Sequence, residues 1–210
     1  MKIIDQSWRF ENKPENVLET LERAARTCYK SEDKIADGSA EKLIAALIKN
    51  GHHSVLEHVN ISVRIISDRA TVNELVRHRL ASYSQESQRY VRYDEVEFVR
   101  QEGLPSAYYE DGTRNEVYHR WLYAIIDAEY EYEKLIDHGV HQQVARSVLP
   151  NCTKTEIFVT TNIREWRHIF KLRCSKKAHP QIRALMLDML KEFAEEWPVL
   201  FNDLADDYGY

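Results

Sequence analysis

The sequence predicts a single helix-rich α+β domain, and three observations support that prediction. A chain of 210 residues is long enough to bury about 70% of the surface that its unfolded form would expose. Segments whose apolar side chains recur with the period of a helix alternate with a few β-branched segments that lie far apart along the chain. No internal repeat, low-complexity tract or obvious linker interrupts the sequence.

Each element is predicted from its pattern and its boundaries. Pro14 is tolerated at the first position of a helix, Ser39 and Asp68 are good helix caps, and Gly51 and Gly139 are good helix stops. The predicted strands are 1–10, 58–67, 96–99 and 155–163, and the predicted helices are 14–29, 39–50, 69–79, 114–138, 141–150, 164–174 and 179–198.

Composition limits the classes of protein to consider. The chain has 29 basic and 34 acidic residues, a formal net charge of −5, which argues against bulk binding of nucleic acid. Three widely spaced cysteines fit a reducing compartment better than a disulfide framework. The N-terminus is too polar for a signal peptide, and no apolar run approaches the roughly 18 residues of a membrane span. We therefore expect a cytoplasmic protein with no membrane partner.

A cationic stretch follows the third predicted helix. The segment RHRLASYSQESQRY (77–90) begins with Arg77, His78 and Arg79. It also contains hydroxyl and amide side chains that can donate hydrogen bonds, and a further arginine, Arg89. One interpretation is that the cations complement the negative end of a helix dipole. The other is an anion site, because guanidinium groups form charge-assisted hydrogen bonds to phosphate. Such a spread of donors is typical of a site for a nucleotide phosphate and sugar.

Two further arginines stand among apolar residues. Arg173 lies four residues after Ile169 and seven after Trp166, so it shares the apolar stripe of its helix. Because burying an unpaired arginine costs several kcal/mol, Arg173 must meet an acid, a carbonyl or a ligand. A structural ion pair and a cation that polarises a substrate are both open interpretations. Arg146, just before an apolar helix end, raises the same question.

The segment GHHSVLEH (51–58) raises the question of a metal site. It carries His52, His53, Glu57 and His58, and imidazole and carboxylate groups are zinc ligands. Ligands crowded between a helix end and a strand seldom share one tetrahedron, so we expect no metal here. A polar loop around a ligand and plain surface histidines are the alternatives.

The sequence lacks both common glycine-rich phosphate motifs, GxGxxG after a strand and GxxxxGK[ST]. Any nucleotide must therefore be held by side chains. With that, the residues resemble a known family: Arg77-His78-Arg79, seven residues, and then Ser87 match the RHR-x7-S signature of the flavin-dependent thymidylate synthases. Companion motifs in that family's order are AARTCY (24–29), GHHSVLEH (51–58), VARSVLP (144–150), NIR (162–164) and LR (172–173).

The resemblance implies a reductive methylation. In that family dUMP becomes thymidylate, methylenetetrahydrofolate gives the carbon, and NADPH reduces a bound FAD whose hydride goes to the pyrimidine. The implied fold is one domain over residues 1–210 with a central, mostly antiparallel sheet. The implied assembly is a homotetramer whose active sites lie where subunits meet.

The resemblance also implies the site residues. Arg173 matches the arginine that activates the uracil ring, and Ser87 is expected to bind substrate, because no base is evident beside it to make it a nucleophile. The implied contacts to FAD are His52, Ser54, Arg77, His78, Arg79, Gln85, Asn162, Arg164 and His168. The implied contacts to dUMP are Glu74, Arg77, Gln85, Ser87, Gln88, Arg89, Arg146 and Arg173.

Two other functions compete with this hypothesis. Arginines and tyrosines interleave over residues 77–93, as they do in modules that bind single-stranded nucleic acid. The cluster of His52, His53, Glu57 and His58 is compatible with a metal-dependent hydrolase. Steep salt dependence of binding would indicate the first function, and stoichiometric zinc or iron would indicate the second.

Overall fold

The computed structural model describes residues 1–209, and these group into two compact units. The first unit comprises Met1–Ser7, Ile65–Leu75 and Ser84–Ile157. The second comprises Trp8–Arg64, Val76–Tyr83 and the described residues from Phe158 onward. Most of these boundaries fall inside strands, which is why no shift in composition marks them.

The strands of residues 1–209 form a four-stranded sheet and a two-stranded sheet. In the larger sheet, Ser62 pairs with Thr160 at 2.8 Å between hydroxyl oxygens, and the Arg64 guanidinium lies over the Phe158 ring at 5.5 Å. Residue numbers therefore rise along one strand as they fall along its neighbour, and the predicted antiparallel sheet is confirmed. The strands are β1 (Lys2–Ile4), β2 (Ser7–Asn12), β3 (Asn60–Asp68), β4 (Ala81–Gln85), β5 (Glu97–Val99) and β6 (Lys154–Asn162), in the orders β2-β3-β6-β4 and β1-β5, the latter parallel.

Helices account for most of the remaining regular structure, as the α+β prediction requires. Short 3₁₀ turns occur at Glu32–Lys34, His53–His58 and Arg146–Val148. The α-helices are α1 (Val17–Thr27), α2 (Ser39–Lys49), α3 (Arg69–Leu75), α4 (Glu116–Asp137), α5 (Gln142–Ala145), α6 (Ile163–Arg173), α7 (Pro180–Glu196) and α8 (Pro198–Asp207).

The core of the second unit is an aromatic cluster centred on Phe193 of α7. Its ring is fully buried, and six aromatic centroids lie 5.0–6.0 Å away. Aromatic side chains bury more apolar area per residue than other side chains. This cluster therefore packs α6, α7 and α8 against one another. The six rings belong to Trp8, Phe10, Trp166, Phe170, Trp197 and Phe201.

The first unit has a separate core around α4. Tyr132 and Ile125 of that helix are buried with Phe98 of β5. The Tyr132 hydroxyl oxygen accepts a hydrogen bond from the Tyr93 backbone N–H at 3.2 Å, so this buried polar atom is satisfied. Glu129 on the same helix accepts from the Val96 N–H at 3.0 Å and holds the entry to β5.

Several predicted boundaries are confirmed and others are wrong. Asp68 caps α3 as predicted, since its Oδ1 accepts from the Thr71 N–H at 2.6 Å. Ser39 is not a helix cap: Gly38 occupies that position, and Ser39 is the first helical residue. Pro14 does not open α1, which begins three residues later after Asn16 in a left-handed conformation.

Three larger differences concern the segments after 75 and after 197. Helix α3 ends at Leu75, so the RHR segment follows the helix instead of forming its last turn. Residues 81–85, expected only as polar chain, form strand β4. The C-terminal segment forms α8, which sequence patterns did not predict. No helix in residues 1–209 is long and apolar enough to span a membrane.

Candidate active site

Helix α6 and its N-cap place three of the predicted flavin contacts, which are Asn162, Arg164 and His168. Asn162 is its N-cap, and its side-chain Oδ1 accepts from the Glu165 N–H at 2.9 Å. The cap uses the carbonyl oxygen of the amide, so Nδ2 is the group that can donate to a ligand. Trp166 and Phe170 are fully buried on the opposite side of the helix, while Arg164 and His168 are exposed. The packing of α6 thus turns Arg164 and His168 outward together.

The RHR segment is an irregular connection between α3 and β4 that begins in a turn. Its backbone is anchored by the Tyr83 hydroxyl, which donates to the His78 carbonyl at 2.9 Å, and by the Thr161 hydroxyl, which donates to the Leu80 carbonyl at 2.7 Å. His78 is 6% exposed, whereas Arg77 and Arg79 are exposed. The segment begins just beyond the end of α3, so its charged side chains are not part of the last turn of that helix.

His78 meets Arg173, the arginine that shares the apolar stripe of α6. Arg173 Nε donates to His78 Nε2 at 3.0 Å. A guanidinium group has donors only, so Nε2 must carry the lone pair and the ring proton must be on Nδ1. That Nδ1 lies 3.5 Å from Oε1 of Glu165, which is also buried. Arg173 therefore meets an imidazole, which was not among the partners expected from the sequence.

The electrostatics of this group favour a neutral imidazole. Burial, assisted by the positive charges of Arg173 and His168, lowers the pKa of His78 to about 4. Burial also raises the pKa of the Glu165 carboxyl, although the charges of His168 and Arg164 oppose the shift. At neutral pH the Arg173 guanidinium is thus charged, and His78 is its uncharged acceptor.

A groove of about 660 Å³ in the second unit collects several of the predicted flavin contacts. A volume of this size suits a cofactor or a drug-sized ligand. Asn162, Arg164 and His168 line it, as do Leu80 and His53. Its amide, guanidinium and imidazole groups can donate hydrogen bonds to the acceptor oxygens of a dinucleotide such as FAD. Carboxylates line the same groove, from Glu57, Glu165, Asp203 and Asp207.

The GHHS segment places one of its two histidines, His53, at the groove. His52 and Ser54 are exposed, and neither is among the residues that line the groove. The neighbouring His53 lines it instead, with Nε2 3.3 Å from the Ile48 carbonyl oxygen. Glu57 at the groove pairs with Arg164 at 2.6 Å. The pair of adjacent histidines was visible in the sequence, but which one faces the groove depends on the 3₁₀ turn that begins at His53.

Metal ligation is disfavoured where ligands do converge. In residues 1–209, the group of potential ligands that lies within 4.8 Å is His78, Glu165 and His168. Arg173 donates to His78 in the same place, and a fixed guanidinium repels a metal cation. The set around His52 and His58 proposed for a hydrolase does not form such a group among the described residues.

The predicted dUMP contacts in the segment 85–89 lie in the first unit. Gln85 Nε2 donates to Thr155 Oγ1 at 3.1 Å. Ser87 Oγ accepts from the Arg89 backbone N–H at 3.3 Å, a contact that gives the hydroxyl no base. Gln88 is 5% exposed and turned inward, whereas Arg89 is exposed with its guanidinium over the Tyr90 ring at 5.5 Å.

Two further predicted dUMP contacts lie in the same unit. Glu74 is half-buried on α3, and Arg146 is half-buried in the 3₁₀ turn after α5. The structure thus assigns the residues expected only for dUMP to the first unit, except Arg173, and the residues expected only for FAD to the second.

Comparison with known proteins identifies the family. The model of the thymidylate synthase complementing protein family matches residues 11–199. A flavin-dependent thymidylate synthase of Geobacter sulfurreducens is 39% identical over 187 residues, covering 86% of this chain and 78% of the relative. That of Pyrococcus furiosus is 36% identical over 185 residues, covering 85% and 75%.

A solved structure shares the whole fold. The UMP/dUMP methylase PolB from Streptomyces cacaoi, bound with 5-Br dUMP, superposes with a TM-score of 0.82 at 26% identity, covering 100% of this chain and 98% of that one. With a family model matching most of its length and relatives above 30% identity, this chain belongs to the thymidylate synthase complementing protein family, the flavin-dependent thymidylate synthases.

Proposed function

We propose that this protein is a flavin-dependent thymidylate synthase. It converts dUMP to thymidylate with methylenetetrahydrofolate as carbon donor and NADPH as reductant through FAD. The observation that carries the proposal is the hydrogen bond between the Arg173 guanidinium and a neutral His78. It occurs in a chain that belongs to this family. The interleaved arginines and tyrosines of 77–93, which suggested binding of single-stranded nucleic acid, need no separate function.

FAD is proposed to bind along the groove of the second unit. Asn162 Nδ2, the Arg164 guanidinium and His168 supply donors there, and His53 joins them. The remaining contacts proposed from the sequence are His52, Ser54, Arg77, His78, Arg79 and Gln85. Bound FAD supplies the hydride that the reaction needs.

dUMP is proposed to bind through the residues that follow β4. Arg89 and Arg146 offer charge-assisted hydrogen bonds to the phosphate. Ser87 acts as a binding residue, because its hydroxyl contacts a backbone N–H and no base. The other contacts proposed for the nucleotide are Glu74, Arg77, Gln85, Gln88 and Arg173.

Arg173 is proposed to act on the uracil ring. Negative charge develops on the ring carbonyls and N3 as hydride arrives, and a preorganised cation stabilises it by several kcal/mol. In the overall balance, dUMP, methylenetetrahydrofolate, NADPH and a proton give thymidylate, tetrahydrofolate and NADP⁺. The methylene carbon and the hydride together become the new methyl group.

Assembly and location follow as proposals of the same account. We propose that the two compact units work as one domain, since a single family model spans residues 11–199. We propose a homotetramer in which another subunit covers the exposed Arg77, Arg79 and Leu80 and completes the site. The three free cysteines favour a cytoplasmic location.

The experiment is a direct assay of purified protein. We expect a yellow protein that oxidises NADPH faster when dUMP is present and forms thymidylate when methylenetetrahydrofolate is added, measured by chromatography. UMP is the matched comparison substrate, because the structural neighbour is named a methylase of UMP and dUMP. A colourless protein that binds no added FAD would contradict the proposal.

A further inference from the structure

We propose that Glu165 and His78 are positioning residues that orient the Arg173 guanidinium for catalysis. This inference rests on the proposed function and adds Glu165 to the residues that serve it. Glu165 matches none of the motifs that carry the family resemblance, and it lies on α6 two turns before Arg173.

The contact between His78 and Arg173 fixes the plane of the guanidinium. Because Nε donates to His78 Nε2 at 3.0 Å, rotation of the guanidinium about its last bonds would break this hydrogen bond. A uracil ring must then be contacted through the terminal nitrogens of Arg173. A planar fork discriminates by direction as well as by charge, which a lysine in its place would not do.

The imidazole can serve as acceptor only in one state and one tautomer. A protonated His78 would present N–H groups on both nitrogens, and one would face the Arg173 Nε–H. Glu165 favours the required tautomer, because its carboxylate lies 3.5 Å from Nδ1, where the ring proton must be. The His168 ring lies edge-on to that of His78, with 5.8 Å between the centroids.

The surroundings of Glu165 are built to hold it in place. Its backbone N–H is bound by the Asn162 cap at 2.9 Å. It is 7% exposed. The groups that act on it electrostatically are Arg164 and His168 from its own helix and Tyr83 from β4. A carboxylate buried this deeply is costly unless it interacts with a polar group, and the Nδ1–H of His78 is such a group.

The first test is Glu165→Gln, with Glu195→Gln on the exposed face of α7 as matched control. Because Glu165 also lines the groove proposed for FAD, the variant is assayed at saturating FAD. We then expect Glu165→Gln to be reduced by NADPH at the normal rate, because that step needs no activated uracil. The kcat for thymidylate should fall about tenfold or more, as misplacing a reacting group does, with the KM for dUMP nearly unchanged. The control should behave as the wild type.

A double-mutant cycle separates positioning from general structure. In an Arg173→Lys background the residual activity no longer depends on a guanidinium plane, so Glu165→Gln should have less than about a twofold further effect. A loss of the same fold in both backgrounds would overturn the inference.

If Glu165→Gln is too unstable to assay, a second pair of variants tests whether Arg173 needs an acceptor at position 78. Because His78 is also a proposed FAD contact, both variants are assayed at saturating FAD, and reduction by NADPH is measured separately. His78→Gln keeps an acceptor for Arg173 and should retain a much higher kcat for thymidylate than His78→Phe, which has none. Equal activity of these two variants would overturn the inference. Failure of the wild type to form thymidylate would instead refute the proposed function, and the inference with it.

Discussion

Acid should destabilise this protein through the buried His78. In the unfolded chain this imidazole has a pKa near 6.5, whereas in the folded protein burial and the charges of Arg173 and His168 lower the pKa to about 4. Between these values the unfolded state binds a proton that the folded state does not, so the free energy of unfolding falls as the pH falls. Each unit of difference between the two pKa values corresponds to about 1.4 kcal/mol, so the free energy of unfolding falls by about 3 kcal/mol in all. About 2 kcal/mol of this stability is already lost at pH 5.

The comparison is with His78→Gln, which keeps an acceptor for Arg173 and cannot titrate. Both proteins are freed of FAD, because ligand binding has its own effect on stability, and unfolded with urea between pH 5 and 7. The pKa of Glu165 is raised, so its contribution runs in the opposite sense, but it is present in both proteins. The wild type should lose about 2 kcal/mol more than the variant between pH 7 and pH 5. Parallel curves would refute the account of a neutral His78.

Substitutions at two further positions test the core and the groove. Phe193→Ala should lower the free energy of unfolding by about 3–5 kcal/mol, since the ring packs against six others; exposed Tyr130→Ala is the control, and a cost below about 1 kcal/mol in urea unfolding would show the cluster to be unimportant. Asn162→Asp keeps the cap oxygen but loses the Nδ2 donor, so FAD titration should show weaker binding at unchanged melting temperature, whereas Asn162→Ala should also lose about 1 kcal/mol of stability. Normal FAD affinity of the Asp variant would remove Asn162 from the flavin site.

Much of the local structure was predictable because burial leaves a periodic pattern. Alternation of apolar residues predicted β3, and the apolar stripe of α6 predicted that Arg173 needs a partner, as the structure confirms. Strand β4 was missed because ASYSQ has no apolar alternation: its pairing with β6 rests on backbone and polar contacts, such as Gln85 with Thr155.

The contacts between the site residues were less predictable than the identities of those residues. The family motif named His78 and Arg173 but could not show that they contact each other, since they lie 95 residues apart. Glu165 carries no motif, and its role appears only when α6 and the RHR segment are seen side by side. Within the RHR segment the histidine is buried and both arginines are exposed. No pattern in the sequence predicts this difference.

The most direct test of the central claim is single-turnover formation of thymidylate by the purified protein and by Arg173→Ala. The wild type, given FAD, NADPH, methylenetetrahydrofolate and dUMP, should form thymidylate. Arg173→Ala should keep its flavin and its reduction by NADPH and form none at a measurable rate. Absence of thymidylate from the wild type, or near-normal turnover by the variant, would contradict the account.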